Sequence, residues 1–158
     1  MKINGRVVNK PNSVLLVLPR EDGDLAFKFD AIVDDSEFHQ LCPRPQPPKK
    51  TKKGGVVVED TADPDFVATL SAWAEKKMAW SFLKSIGATE GLEWTTVKMD
   101  DSESWRNWDK DLKAAGFSIS EIRLLEANFL DANSLSEERL KEARDRFLLQ
   151  QQAASSPA

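Results

Sequence analysis

The sequence predicts an α+β fold, in which a small N-terminal antiparallel sheet (a hairpin or a meander) precedes a four-helix C-terminal unit. Three observations lead to this prediction. Short apolar runs and period-two alternation occupy residues 1–33, prolines and lysines fill 43–60, and apolar residues recur every three or four positions after Asp63. The predicted organisation is a strand-rich head over 1–42, a Pro/Lys/Gly linker over 43–60, a helical body over 61–150 and a disordered tail over 151–158.

The head contains the strand signals. Ser13–Leu18 is an apolar run rich in β-forming residues, and residues 20–24 form a polar turn after it. Residues 25–33 then alternate apolar and polar, and a shorter pair of strands turns at Asn4-Gly5. Because an isolated hairpin is marginally stable, this sheet needs a covering surface from the helices or from another chain.

The linker differs in composition from both neighbours. Four prolines between residues 43 and 48 favour extended backbone and exclude helix, and Gly54-Gly55 frees the chain beyond them. The valines at 56–58 are expected to add one edge strand. We therefore predict a mobile linker or a short recognition segment. Its five cations have no acid among them, and they are Arg44, Lys49, Lys50, Lys52 and Lys53.

The first two helices of the body have clear ends. Asp63 is an N-cap followed by proline at the first helical position, and Gly87 stops the helix. The second helix begins at Asp101 or at the serine after it and stops at Gly116. Its apolar face includes two of the five tryptophans.

The last two helices begin with the same device. A hydroxyl lies three residues before a carboxylate at Ser118 and Glu121, and again at Ser134 and Glu137, which is capping-box spacing. The third helix breaks near Asn133. The fourth is expected to place apolar residues on one packed side, and they are Leu140, Ala143, Phe147 and Leu148.

Composition restricts the classes of function. With 22 basic and 26 acidic residues, the chain has a formal charge of −4, which disfavours a generally basic nucleic-acid binder. Cys42 is the only cysteine, so a reducing intracellular setting is expected. No apolar stretch reaches the length of a membrane span or a signal peptide. The scarcity of histidine, cysteine and glycine-rich loops argues against an enzyme, and no cofactor or metal is predicted.

Two groups of polar residues are candidate chemical sites. His39 and Cys42 are three residues apart, but the sequence offers no second histidine or cysteine to complete a catalytic or metal site. The acid pairs 34–35 and 100–101 do not match a calcium loop. Helix capping and turn solvation explain both pairs more simply.

Aromatic residues are the most informative feature. The chain has five tryptophans and eight phenylalanines but no tyrosine. Five indoles are a large number for one small core to bury. We therefore expect at least one indole, together with Phe117 or Phe129, to be exposed in the free protein and covered by a partner. Segments 73–86 and 118–130 are expected to form a groove for an amphipathic helix. The candidate partner-binding residues are Trp73, Trp80, Trp105, Trp108, Phe117 and Phe129.

The order of segments resembles a known family. Segments such as Trp105-Arg-Asn-Trp108 resemble, in their composition and their order along the chain, those of small tail assembly chaperones of long-tailed bacteriophages. The likeness covers about residues 37–150, and the strand-rich head departs from that mostly helical family. The segments concerned are 37–50, 73–86, 92–97, 105–117 and 132–148.

The resemblance implies a function without chemistry. Members of the family have no catalytic residues, and they bind the tape-measure protein transiently, with tail-tube subunits as a second candidate partner. They act in the host bacterial cytoplasm, are absent from the finished virion, and in several cases are also made as a longer frameshifted form. The sequence leaves the oligomeric state open. The alternative is a phage or bacterial regulatory protein that binds a host protein or nucleic acid through the basic linker.

Overall fold

Three separate antiparallel hairpins and five helices form the computed structural model, which describes residues 1–155. The hairpins pair β1 (Lys2–Ile3) with β2 (Arg6–Val7), β3 (Ser13–Leu18) with β4 (Leu25–Asp30), and β5 (Lys49–Thr51) with β6 (Val57–Glu59). The helices are α1 (Ser36–Leu41), α2 (Pro64–Ile86), α3 (Trp108–Ala114), α4 (Ile119–Asn133) and α5 (Glu137–Ser155), and a 3₁₀ turn at Ser102–Asn107 precedes α3. Small antiparallel sheets followed by helices confirm the predicted α+β class.

The β3–β4 hairpin is the structural centre of the head. Its register pairs Val14 with Phe29 and Leu18 with Leu25. Because side chains alternate across a strand, Phe27 and Phe29 face inward and are buried, while Leu15 on β3 faces outward. The period-two pattern in the sequence therefore predicted the buried face of β4.

Helices supply the cover that this hairpin requires. The ring of Phe29 lies 6.2 Å from that of Phe82 on α2, and Phe82 lies 5.7 Å from Phe129 on α4. These contacts place the hairpin, α2 and α4 around one core. The buried members of this core are Leu18, Phe27, Phe29, Phe82, Ile86, Leu112, Ile122, Leu125, Phe129 and Ala132.

A second cluster lies around the short helix α1, which the sequence did not predict. Phe38 on α1 is completely buried, and its ring centroid is 5.8 Å from Trp80 and 6.0 Å from Trp105. Helix α1 thereby joins the end of the head to α2 and to the 3₁₀ turn. The buried members are Phe38, Ala79, Trp80, Leu83, Val97 and Trp105.

Local capping explains the helix ends. The carboxylate of Asp63 accepts a hydrogen bond from the Phe66 amide at 2.9 Å, and α2 ends at Gly87 as predicted. At α4 the Ser118 hydroxyl accepts from the Glu121 amide while the Glu121 carboxylate accepts from the Ser118 amide. The predicted capping box is therefore confirmed.

Two predicted features of the last helix are wrong. Its cap is Ser136, whose hydroxyl accepts from the Arg139 amide at 3.2 Å, and not Ser134. The helix also continues to Ser155 across residues for which disorder was predicted, and the remainder of that predicted tail, 156–158, lies outside the described residues. Alanine and glutamine at 150–154 have good helix propensity, which accounts for the extension.

Helix α5 also does not join the packed helical unit that was predicted. None of its residues is buried, and Leu140 and Phe147 are 52% and 53% exposed. An amphipathic helix is stabilised mainly by burying its apolar face, and here that face has no cover within the described chain. The apolar spacing was predicted correctly, but its packing partner was not.

Candidate functional site

Three of the predicted partner-binding aromatics belong to the interior. Trp80 and Trp105 have no exposed area, and Phe129 is buried between α2 and α4. The Trp105 indole donates to the Met99 carbonyl at 3.2 Å, whereas the Trp80 Nε1 atom has no hydrogen-bond partner among residues 1–155. Partner binding by Trp80 and Trp105 is therefore corrected to a core role, because a ring without exposed area cannot contact another molecule.

Trp73 is only partly buried. Its indole donates to the Cys42 carbonyl at 2.9 Å, which ties α2 to the segment after α1. The Arg44 guanidinium lies 5.7 Å from one face of the ring and the Lys77 ammonium lies 5.6 Å from it. Two cations thus compete with any partner for this ring.

Trp108 and Phe117 are also half-buried. Trp108 lies against Phe82, with ring centroids 4.3 Å apart. Phe117 meets Phe27 edge to face at 5.8 Å, and the Arg20 guanidinium lies 5.1 Å from its centroid. Of the two rings, Trp108 lines the surface feature described next.

An apolar groove runs between α2 and α4, the two segments from which the sequence predicted one. Two adjoining depressions of about 450 and 440 Å³ share three lining residues, Met78, Phe129 and Leu130. Phe129 lies buried beneath, while Met78 and Leu130 are 58% and 52% exposed. We call this feature the α2/α4 groove. Trp73 lines one end and Trp108 the other.

Sequence reasoning missed the two exposed residues of the groove. Met78 and Leu130 lie outside the aromatic set, and neither stands out by residue type. Their significance comes from α2 and α4 lying side by side, which no local pattern reveals. The only sequence signal for these two groove residues was that each is an apolar residue next to the buried face of its helix.

The rim of the groove is mainly acidic. Arg106 pairs with Glu75, and Lys77 pairs with Asp35 at 3.1 Å. A hydrogen bond from Lys77 lowers the pKa of Asp35, which keeps this carboxylate ionised. The acids that line the two depressions outnumber the bases, and they are Asp34, Asp35, Glu75, Asp109 and Glu126.

The lysines of the basic linker lie on a short antiparallel hairpin. Strands β5 and β6 pair Lys49 with Glu59 and Lys50 with Val58, and the Lys52 amide donates to the Val56 carbonyl at 2.7 Å. The predicted edge strand is therefore present, although its partner is the lysine-rich segment itself. All four lysines are exposed, and Lys50 also lies 3.4 Å from Asp60.

The remaining polar candidates have structural contacts. His39 Nε2 lies 3.2 Å from Asp35 Oδ2, and Asp34 accepts from the Ser36 amide at 2.9 Å. Asp101 caps the 3₁₀ turn by accepting from the Glu103 amide, as capping had predicted. Within residues 1–155, no three histidine, cysteine or acidic side chains are grouped so that they could hold a metal ion.

Another depression, of about 760 Å³, lies between the chain after β4 and the end of α2. Two of its charged residues, Lys84 and Glu37, form an ion pair at 3.1 Å. The α2/α4 groove is the more apolar feature, and it carries exposed side chains that a partner would cover.

The fold and the groove define a small α+β protein with an apolar, acid-rimmed surface between two helices. Comparison of the chain with family models, with curated proteins and with solved structures yields no match. In the part of the chain that the structure describes, no helix combines the length and apolar character needed to cross a bilayer.

Proposed function

We propose that this protein is a non-enzymatic tail assembly chaperone of a long-tailed bacteriophage, which holds an amphipathic helix of the tape-measure protein in the α2/α4 groove. Tail-tube subunits are a second candidate client. The single observation that carries the proposal is the exposed apolar groove, lined by Met78 and Leu130, between the two helices. The resemblance of segments 37–150 to that family supplies the biological context.

The groove has the properties of a helix-binding site. An amphipathic helix docks by placing apolar side chains at three- and four-residue spacing into an apolar cleft. Met78 and Leu130 are each about half exposed, so a docked helix would remove further apolar area from water at both. Such burial contributes about 1 kcal/mol for each side chain. A contact of this size is reversible, as a transient chaperone requires.

The rim adds a preference among clients. Glu126 and Asp34 lie around the groove, whereas Asp109 there pairs with Lys113 at 2.6 Å, and the basic residues of the groove pair with Glu75 and Asp35. Complementary charge accelerates association and disfavours wrong partners more than it raises affinity. The preferred client helix therefore carries lysine or arginine beside its apolar stripe.

Co-expression with the tape-measure protein of the same phage tests this proposal. We expect a complex that survives purification, and Met78→Asp or Leu130→Asp should weaken it at least tenfold, since each places a charge in the apolar contact. Leu124→Asp is the matched control, because Leu124 is exposed on α4 but does not line the groove. Absence of a complex, or a complex indifferent to both groove variants, contradicts the proposal.

A chaperone of this kind has a characteristic location in the infected cell. The chaperone would act in the host bacterial cytoplasm during assembly and be absent from the mature virion. Mass spectrometry of infected cells and of purified particles measures both. Stoichiometric recovery of the chain in mature particles contradicts the chaperone assignment.

The lysine-rich hairpin favours one alternative, a phage or bacterial regulator that binds a host protein or nucleic acid. Lys49, Lys50, Lys52 and Lys53 are all exposed on one short hairpin, whereas Arg44 is held over Trp73. Replacing the four lysines with glutamine should abolish binding if this alternative holds, and binding should weaken steeply with salt. If the tail assembly proposal holds, the same variant keeps its client.

A further inference from the structure

Helix α5 carries an apolar stripe that nothing in the described chain covers. With 3.6 residues per turn, one face of the helix contains Leu140, Ala143, Phe147 and Ala154, with the polar Gln151 between the last two. Leu140 and Phe147 are about half exposed. One chain therefore presents both an apolar helix and an apolar groove that accepts a helix.

Hydrogen bonds at the corner between α4 and α5 hold α5 to the end of α4. The Ser134 amide donates to the Leu130 carbonyl at 2.8 Å and ends α4. Ser136 then caps α5, and the Arg139 guanidinium donates to the Asp131 carbonyl in the last turn of α4. These bonds tie α5 to the end of α4 across the three residues between the helices, while no residue of α5 lines the groove of its own chain or is buried.

Charge on α5 matches charge on the groove. Three of its four acids, Glu138, Glu142 and Asp145, lie on the side of the helix opposite the stripe. The rim of the α2/α4 groove is mainly acidic. Of its four bases, Arg144 and Arg146 flank the stripe, Arg139 is held at the Asp131 carbonyl, and Lys141 lies towards the acids, where it pairs with Asp145 at 3.4 Å.

We propose that helix α5 of one copy occupies the α2/α4 groove of a second copy, and that the second copy does the same in return. Because each copy both donates a helix and accepts one, the resulting dimer has two-fold symmetry. The stripe from Leu140 to Ala154 is about 21 Å long and about 10 Å wide. Each contact covers this strip and an equal area of the groove, so two reciprocal contacts remove on the order of 800 Å² from solvent, the size of a weak, concentration-dependent interface.

Self-association has a consequence for the site assigned to the client. The α5 helix of the second copy and the client helix occupy the same groove, so each excludes the other. The free protein thereby keeps its groove covered until a client displaces α5. The dimer requires only surfaces of this chain. Its presence or absence is therefore independent of whether the proposed client is correct.

Sedimentation velocity over a range of concentrations tests the dimer with the full chain. The unmodified protein should shift from monomer to dimer with rising concentration, and Leu140→Asp should remain monomeric at concentrations at least tenfold higher. Leu149→Asp is the matched control, because Leu149 is exposed on the opposite face of the same helix. A protein that is monomeric at all concentrations, or equal effects of the two variants, overturns the proposal.

Groove variants separate this arrangement from a pairing of two α5 helices. Leu130→Asp should prevent the dimer while Leu124→Asp leaves it intact, and unfolding curves of both variants establish that they are folded. If Leu130→Asp remains dimeric, α5 pairs with something other than the groove and the proposal fails. Client binding, measured separately on the same variants, keeps failure of the dimer distinguishable from failure of the chaperone assignment.

Disulfide trapping identifies which chain supplies the helix. In a Cys42→Ser background, a chain with Met78→Cys is mixed with a chain with Ala143→Cys and oxidised. The proposal requires a mixed disulfide between the two chains. When both cysteines are placed in one chain, a monomeric intrachain disulfide would mean that α5 folds onto its own body, which contradicts the proposal.

Discussion

The guanidinium of Arg20 binds the carboxylate of Glu121, and this ion pair links the turn after strand β3 to the first turn of α4 across 101 residues of sequence. Glu121 also accepts from the Ser118 amide at 2.8 Å as part of the capping box. Phe117 lies beneath the same guanidinium. One carboxylate therefore connects a tertiary contact with a helix cap.

This arrangement predicts an acid-dependent contribution to stability. The hydrogen bond from Arg20 and then that from the Ser118 amide lower the pKa of Glu121 below its ordinary value of 4.5. A lowered pKa in the folded state stabilises the fold above pH 4.5, and this contribution is lost as pH falls through the lowered value. We expect Glu121→Gln to flatten the acid side of the stability curve, as measured by urea unfolding between pH 2.5 and 7.

The matched control is Glu126→Gln, which removes a carboxylate from the same helix without touching Arg20. Glutamine at 121 can still accept the bond from the Ser118 amide, so the helix cap is retained. If the unfolding free energy falls equally steeply at acid pH in Glu121→Gln and in the unmodified protein, the assigned role of the ion pair is contradicted.

The two buried indoles should respond differently to the same substitution. Trp105→Phe leaves the Met99 carbonyl without its donor, whereas Trp80→Phe removes an N–H that has no partner among the described residues. Because an unsatisfied buried polar group costs about 1–3 kcal/mol, the loss in unfolding free energy should be about 1 kcal/mol smaller for Trp80→Phe. Chemical denaturation of both variants measures this, and equal losses or the reverse order would contradict it.

Asp111 organises the chain before the 3₁₀ turn. It accepts from the amides of Thr95 and Thr96 at 2.9 and 2.8 Å and from the Thr96 hydroxyl at 2.7 Å. Burial opposes ionisation, but the bonds from Thr96 and Thr95 outweigh it and lower the pKa of Asp111. We expect Asp111→Ala to speed amide hydrogen exchange at both threonines by about tenfold.

Asp109→Ala is the control for that measurement, because Asp109 lies on the same helix and pairs with Lys113 at 2.6 Å. It should leave the exchange of Thr95 and Thr96 unchanged. Protection of these amides that survives Asp111→Ala would show that other contacts hold the segment.

Removing α5 should leave the rest of the fold intact. Because no residue of α5 is buried, a chain ending at Ser136 loses no core side chain. In dilute solution, where the unmodified protein is monomeric, the midpoint of thermal unfolding should change by less than about 2 °C. A larger drop would mean that α5 packs on the body of its own chain.

Local signals predicted most element boundaries. Asp63 and Gly87 bound α2, and Ser118 begins α4, because caps and glycine stops act within a few residues of chain. The alternation of β4 likewise predicted which of its side chains turn inward. Helix α1 was missed because Ser36–Leu41 is short and has one buried residue, too few to show a period.

The candidate site could be predicted only in outline. Segments 73–86 and 118–130 were expected to form a groove and they do, but the exposed residues in it are Met78 and Leu130, not Trp80. Residue type alone identified the aromatic side chains, because such side chains often contribute strongly to protein interfaces. Their burial depends on Phe38 and α1, which approach from another part of the chain.

The amino-acid sequence by itself therefore determined the α+β class, the hairpin of the head and the ends of most helices, since each depends on hydrogen bonds and spacing within one segment. Only the tertiary structure decided which aromatic rings are interior and which apolar face remains open. Burial is set by partners distant in sequence, as Phe29 is buried by Phe82 on α2, and an apolar stripe such as that of α5 looks the same in sequence with or without a partner.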